Sequence, residues 1–366
     1  MVTTRTRAGA RSGARARTAA LAAAVLVSLL GLAGCGASEA VEPAQAVPAG
    51  EGRTEYPLTL ENCGQEVTVE SAPARVVSLD QNSTEILLSL GLEDRVVGTA
   101  SWTDPVLDSL AEANEDVPRL ADNAPTYEVL LGADPDFVTA SFGRHYNTEG
   151  GVVSRERLGE TGIESYLSPT DCDNGKSVNG GTPRTTPLTV DALYVEIQEL
   201  ARIFDVADRG EKLVADLKER AAAATEGVDF EGRTVMFWFA DTKTPYVAGG
   251  LGAASLLATD TGMVNVLKDA TDDWPAVGWE SVVEADPDIL VLGDLQRDRF
   301  PGDRLDDKVE FLTQDELTST IPAVAQERFI ALHGAEMNPS IRFVDGLEKI
   351  QAWWLANKDE LSEDQS

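Results

Sequence analysis

The sequence predicts an α/β protein of two Rossmann-like lobes with mostly parallel sheets, joined by one long helix. Three observations carry that expectation. First, a pattern occurs twice: Glu128-Val129-Leu130-Leu131-Gly132-Ala133-Asp134-Pro135-Asp136-Phe137-Val138 and Glu280-Ser281-Val282-Val283-Glu284-Ala285-Asp286-Pro287-Asp288-Ile289-Leu290. In each, Glu opens a short amphipathic helix, Asp-Pro-Asp stops it and an apolar strand follows. The copies lie 152 positions apart, too far for a solenoid, whose periods are roughly 20–50 residues. Second, short apolar runs alternate with helical patterns in both halves, which implies parallel sheets. Third, residues 206–226 are charged, Ala-rich and uninterrupted, a single helix between the copies.

The N-terminus sets the compartment. Arg5, Arg7, Arg11, Arg15 and Arg17 precede an apolar run over 18–32, shorter than the ~20 residues a membrane span needs. Leu32-Ala33-Gly34-Cys35 follows directly and resembles a bacterial lipobox, which would make Cys35 the lipidated first residue of the mature chain. Residues 1–34 are therefore expected to be a lipoprotein signal peptide used by the general secretion route, since no twin-Arg pair occurs. Residues 35–55, rich in Ala, Glu, Pro and Gly, are expected to be a flexible tether. The protein is expected on the extracellular face of the cell membrane, held there by lipid alone.

The folded part is then an N-terminal lobe over 56–205, the connecting helix over 206–226 and a C-terminal lobe over 227–366. The chain holds 62 acidic and 30 basic side chains, and five of the Arg fall within 1–34. So acidic a surface repels nucleic acid and anionic lipid. With Cys35 assigned to lipid, Cys63 and Cys172 remain, and in an oxidising compartment a Cys63–Cys172 disulfide is expected over two free buried thiols.

The elements follow in order. Residues 56–70 alternate around Asn62-Cys63-Gly64 as a hairpin. Residues 75–79 make a buried strand, then Asn82 and Glu85 form a cap and capping-box pair for a helix over 83–90 ended by Gly91. A strand over 95–99 and a helix over 105–111 come next, the latter opened by Pro105. Pro125 opens the helix carrying Glu128. Residues 136–141, 152–159 and 163–167 read as strand, helix and strand. After a polar loop over 168–187 come two helices, 188–204 and 207–224. The second lobe has strands at 234–239, 246–247, 288–292 and 328–332. Its helices are expected at 253–261, 280–285 and 339–355, the last carrying Trp353 and Trp354.

The order and spacing of these segments resemble the iron–siderophore and cobalamin class of ABC-transporter substrate-binding lipoproteins. The resemblance runs from about Tyr56 to Trp354. It rests on the hairpin, Arg75-Val76-Val77-Ser78-Leu79 with Ser83-Thr84-Glu85, Gly91-Leu92 with Val96-Val97-Gly98, and Trp274-Pro275-Ala276-Val277 together with the two Glu/Asp-Pro-Asp segments. It implies capture of a ferric siderophore between the lobes and delivery to an ABC permease and its ATPase. Cobalamin, haem or another cofactor-like ligand is the alternative. It also implies that Glu128 and Glu280 dock on permease Arg residues. A monomer is expected, with no cofactor, iron entering only as part of the bound chelate.

Ligands of open parallel sheets sit beyond the carboxyl ends of the strands, which selects candidates from those loops. Trp102, Arg144, Tyr146, Trp238, Tyr246 and Arg297 are the expected ligand-binding residues: aromatics for apolar contact and Arg for ligand oxygens. Arg residues placed like Arg297 and Arg299 are more often surface partners of neighbouring carboxylates, here Asp294, Asp298 and Asp303. A direct metal site is not expected: the chain has two His, and His333 with Glu336 would supply two ligands only. Nor is an enzyme expected. No Gly-x-Ser-x-Gly or His-Glu-x-x-His occurs, and Gly250-Leu251-Gly252-Ala253-Ala254-Ser255 lacks the Lys and third Gly of a phosphate loop. A surface adhesion or sensory role remains a further alternative.

Overall fold

A computed structural model describes residues 54–147, 150–172, 184–297 and 299–363. The signal peptide, Cys35 and nearly all of the tether expected from the sequence lie outside the described residues. The described residues fall in one compact unit that contains both lobes.

The N-terminal lobe begins with an antiparallel hairpin of β1 (Leu58–Asn62) and β2 (Gln65–Val69). It continues through β3 (Val76–Ser78), α1 (Gln81–Ser89), β4 (Val96–Ala100), α2 (Ala111–Asn114), β5 (Arg119–Ala121), α3 (Tyr127–Gly132), β6 (Phe137–Ala140), α4 (Arg155–Glu160) and β7 (Glu164–Leu167). Then come α5 (Val190–Ile203) and the long α6 (Ala207–Thr225). The C-terminal lobe comprises β8 (Thr234–Ala240), β9 (Tyr246–Val247), α7 (Ala253–Asp260), β10 (Val264–Asn265), α8 (Trp279–Ala285), β11 (Ile289–Asp294), α9 (Leu305–Gln314), α10 (Pro322–Ala325), β12 (Phe329–His333) and α11 (Phe343–Glu363).

Both lobes are α/β with parallel sheets. The first has strand order β5-β4-β3-β6-β7, all parallel, and the second β10-β8-β11-β12, with only β9 added antiparallel to β8. In each, the chain steps away from a starting strand and returns on its other side. This puts a topological switch point between β3 and β6, and another between β8 and β11, the places where such sheets open a ligand crevice. The central strands β3, β6 and β11 are buried on both faces, as parallel strands covered by helices must be.

The repeated Asp-Pro-Asp now has a physical reading. Asp134 and Asp286 end their helices in the left-handed region, at φ 52° and 43°, which Asp tolerates better than most residues. Proline then prevents any continuation. The second Asp of each copy ties its strand to the neighbour. Asp136 accepts from Ala74 N–H (2.8 Å) and Arg75 N–H (2.9 Å) just before β3. Asp288 accepts from the Thr234 N–H and hydroxyl at the start of β8 (both 2.8 Å).

The helix α6 packs on α5 and also on α11, and Arg220 of α6 engages Asp345 and Glu348 of α11. Ile341 and Val344 join the apolar core of the N-terminal lobe. The closing helix and the residues just before it thus brace the connector as a second crossing.

Several expected boundaries move. The N-cap of α1 is Asp80, whose carboxylate accepts from Ser83 N–H at 3.0 Å; Asn82 and Glu85 do not form a capping box. Asn82 instead donates to Ser141 Oγ (2.7 Å) and accepts from Ile341 N–H (3.2 Å), while Glu85 pairs with Arg342. Pro105 opens no helix: a 3-10 turn begins at Asp108 and α2 at Ala111. Pro125 precedes the Thr126 cap rather than opening α3. The last helix starts at Phe343, four residues later than expected, and continues beyond 355. The sequence reading does not place β5, β10 and α10, which have two to four residues each and too little pattern, nor α9, ten residues long but opened without a capping side chain.

Cys63 and Cys172 are joined as a disulfide, tying the hairpin turn to the segment after β7.

Candidate functional site

A cavity of about 470 Å³ lies between the lobes at the two switch points. The N-terminal lobe contributes Gln81 and Asn82 after β3, Ser101 and Thr103 after β4, Asn123 and Ala124 after β5, Phe142, Arg144 and His145 after β6, and Asp171. The C-terminal lobe contributes Phe239, Tyr246, Gly252, Asp273, Trp274, Arg297, Arg299, Phe300 and the stretch 337–340.

Three guanidinium groups meet here in a chain of net charge −32. Arg144 rests over the Phe142 ring, 4.8 Å from its centroid. Burial, with Arg297 and Arg299 as like charges, pulls its pKa below the usual arginine value, while Asp80 and Asp171 oppose the shift. Arg297 lies over Phe239 (5.4 Å) and Phe300 (5.7 Å) and stands 3.5 Å from Asp303. Phe239 packs in turn on Trp274, with ring centroids 4.7 Å apart. Each wall is thus a cation backed by aromatic faces, an arrangement that keeps the charge directed while covering apolar ligand surface.

The loop bearing Arg297, Arg299 and Phe300 is built from below. Asp303 accepts from Arg299 N–H (2.8 Å) and Phe300 N–H (3.0 Å). Fully buried Lys308 donates to Gly293 O (2.7 Å), Gly302 O and Asp303 O (3.2 Å). Burial pushes the Lys308 pKa down to about 8.

On the other lobe a buried polar network underlies the cavity. Asp80 accepts from Ser141 N–H at 2.6 Å. Ser141 and Ser168 donate to the two oxygens of Glu196 at 2.9 and 2.6 Å. Burial raises Glu196 to about 8 and Asp171 to about 7. His145 is buried, and burial followed by the Arg144 charge pulls its pKa well below the usual imidazole value, so the ring is neutral. Its Nε2 has no hydrogen-bond partner among the described residues.

Of the residues expected to bind ligand, Arg144, Tyr246 and Arg297 line the cavity. Trp102, Tyr146 and Trp238 do not. Trp102 is buried under Arg119, donating to Thr99 Oγ1 at 2.9 Å. Tyr146 points into the lobe and donates to Val138 O and Tyr166 O (3.1 and 2.9 Å). Trp238 packs edge-on against Trp279, centroids 4.8 Å apart, and donates to Ala240 O at 3.0 Å. The sequence reading passed over Phe142, Phe239, Trp274 and Phe300. Phe239 was missed because Trp238 was expected in the cleft: successive strand residues face opposite sides, so Trp238 in the core puts Phe239 toward the crevice. Glu336 is occupied by His333 N–H and Lys349. Among the described residues no group of three His, Cys, Asp or Glu is placed to hold a metal ion.

Glu128 and Glu280 are exposed in the first turns of α3 and α8. Each follows a cavity-lining stretch, Asn123-Ala124 in one lobe and Trp274 in the other. Glu128 is held below the usual carboxylate range by its own N–H and the Thr126 hydroxyl. Among the described residues no helix is long and apolar enough to cross a membrane.

Residues 76–336 match the family model described as periplasmic binding protein. A vitamin B12-binding protein of Vibrio campbellii is 22% identical over 227 residues, covering 62% of this chain and 73% of its own. An uncharacterized ABC transporter substrate-binding lipoprotein, YvrC of Bacillus subtilis, is 24% identical over 284 residues, covering 76% and 81%. Among solved structures, an ABC-type Fe3+-hydroxamate transport system protein of Saccharomonospora viridis superimposes with a TM-score of 0.66 at 28% identity, covering 82% of this chain and 99% of its own.

Proposed function

The chain belongs to the periplasmic binding protein family, and from that premise we propose that it is the solute-binding component of an ABC importer, capturing a ferric siderophore between its lobes. The observation that carries the ligand class is the convergence of Arg144, Arg297 and Arg299 on one aromatic-lined cavity of a strongly acidic protein. Chelating oxygens that keep residual negative charge match such guanidinium groups, and the apolar arms of a chelator match Phe142, Phe239 and Trp274. The named relatives support transport of this kind, one as a hydroxamate transport protein. Iron would enter already wrapped, with no resident cofactor. Cys35 would carry the lipid that holds the protein at the outer face of the membrane, and Glu128 and Glu280 would present one carboxylate per lobe to the permease.

Haem is the second reading, favoured by one specific pair. His145, neutral and with no partner for its Nε2 among the described residues, and Tyr246 reach the same cavity from opposite lobes, and imidazole and phenolate are both ligands of haem iron.

Titration against ferrioxamine B, ferric enterobactin, haemin and cyanocobalamin separates these readings. Trp274 lies in the cavity, so a bound ferric siderophore should quench tryptophan fluorescence saturably, and Trp274→Phe should remove most of the change. Haemin binding with a Soret band altered by both His145→Ala and Tyr246→Phe would replace the siderophore reading with haem. Binding of none of the four would sink both.

A further inference from the structure

The segment 184–188 reaches both walls of the cavity. Its main chain lies on the C-terminal lobe, where Arg184 N–H donates to Thr271 O (2.9 Å) and Leu188 N–H to Leu251 O (2.8 Å). The Arg184 side chain, 5% exposed, then holds both lobes at once. Its Nε and Nη2 engage the two carboxylate oxygens of Asp273. Its Nη1 donates to Thr170 O at 2.9 Å, and Nη2 stands 3.8 Å from Asp171. Asp273 and Asp171 line the cavity from opposite lobes. Asp171 also accepts from Gly143 N–H at 2.6 Å, which fixes the turn carrying Arg144. The disulfide holds the next residue, Cys172, to the hairpin.

We propose that Arg184 is a positioning residue for ligand capture: a buried guanidinium that clasps the two cavity walls along this flank and keeps the site in its binding geometry before the ligand arrives. The proposal rests on the cavity being the ligand site. A planar fork can grip a carboxylate with two donors and a carbonyl with a third, which an ammonium cannot do in one geometry. A site held in place beforehand saves the ordering cost that binding otherwise carries. Glu85 with Arg342 makes a second buried pair between the lobes, and it stays intact when Arg184 is replaced, so the effect belongs to one flank.

The test compares full-length wild type with Arg184→Gln, Arg184→Lys and the double variant Arg184→Gln/Asp273→Asn. Hydrogen exchange of the ligand-free proteins is read at residues 168–172 and 270–274, with α1 as the internal reference. Removing one partner of a buried pair is strongly disruptive, so both segments should exchange at least about tenfold faster in Arg184→Gln while α1 is unchanged. Lysine should restore this only in part. Dissociation of ferric enterobactin should quicken by about tenfold in Arg184→Gln and stay fast in the double variant, which removes the clasp together with the Asp273 charge. If the double variant regains wild-type dissociation, Arg184 merely neutralises Asp273 and the clasp is wrong. Unchanged exchange in both segments overturns it equally. Should wild type bind no ferric chelate, the siderophore reading fails, and the exchange measurement still decides whether Arg184 clasps the walls.

Discussion

Lys308 shows how one buried side chain can shape a binding surface it does not join. Among the described residues its ammonium has no carboxylate within ion-pair distance, and it is held by three carbonyl oxygens, Gly293 of β11 and Gly302 and Asp303 of the loop that carries Arg297, Arg299 and Phe300. Lys308→Met keeps the stem and leaves those carbonyls without their donor. The expected loss is about 2–4 kcal/mol of stability in urea unfolding, together with weaker binding of whichever probe the cavity accepts. Glu196 and Asp171 give a second residue-scale expectation. Burial raises Glu196 to about 8 and Asp171 to about 7, so between about pH 5 and 7 the native protein keeps protons that the unfolded chain has released. Stability must therefore fall as pH rises through that window, by up to about 1.4 kcal/mol per pH unit for each group. Urea midpoints at several pH values check this, and Glu196→Gln should flatten the slope; an unaltered slope would show that Glu196 does not hold its proton. At this scale the sequence revealed chemistry but not direction. Arg144 and Tyr146 sit two positions apart in one short turn, yet one faces the cavity and the other hydrogen-bonds into the lobe. Nothing in the local pattern separates them, because the choice depends on which carbonyls the folded lobe leaves open for a phenol.

Elements carry the docking expectation. The helices α3 and α8 are equivalent pieces of the two lobes, each entering from a cavity-lining loop and leaving through Asp-Pro-Asp. Charge reversal at Glu128 or Glu280 should impair uptake in whole cells while ligand affinity stays within about twofold, since a solvent-exposed carboxylate is screened and contributes little locally. Loss of ligand binding in either variant would assign that Glu to the site instead. Long elements with an apolar face were legible in the sequence: every strand of four or more residues and α1 and α3 through α8 fall within a few residues of their expected places. The short β3 and β9 and the Gly91 stop were found as well, whereas β5, β10, α9 and α10 and the N-cap of α1 were not. Asp80 outcompetes Asn82 as the cap of α1 because its carboxylate can also accept from Ser141 N–H across the sheet, a partner 61 residues away that local spacing does not reveal.

The whole molecule is held by more than its connecting helix. Buried contacts across the lobes, Glu85 with Arg342 and Arg184 with Thr170 and Asp171, and the packing of α11 on α6 act together with the disulfide. The disulfide closes a span of 109 residues. Replacing Cys63 and Cys172 together by Ala should cost about 2–5 kcal/mol, read as a lowered melting temperature; an unchanged temperature would mean that the bond adds nothing to the native balance. The sequence by itself determined the α/β class, the two-lobe division, the Cys pairing and the exposed Glu of each repeat. Those follow from periodicity, from left-handed and proline stops, and from charge, all of which act over a few neighbouring residues or over the composition of the whole chain. Only the tertiary structure decided which aromatics face the cavity, that Glu85 finds Arg342, and that Arg184 spans the walls. Those outcomes depend on side chains from distant segments competing for the same buried partners, and that competition is settled only when the sheets and helices have closed around them.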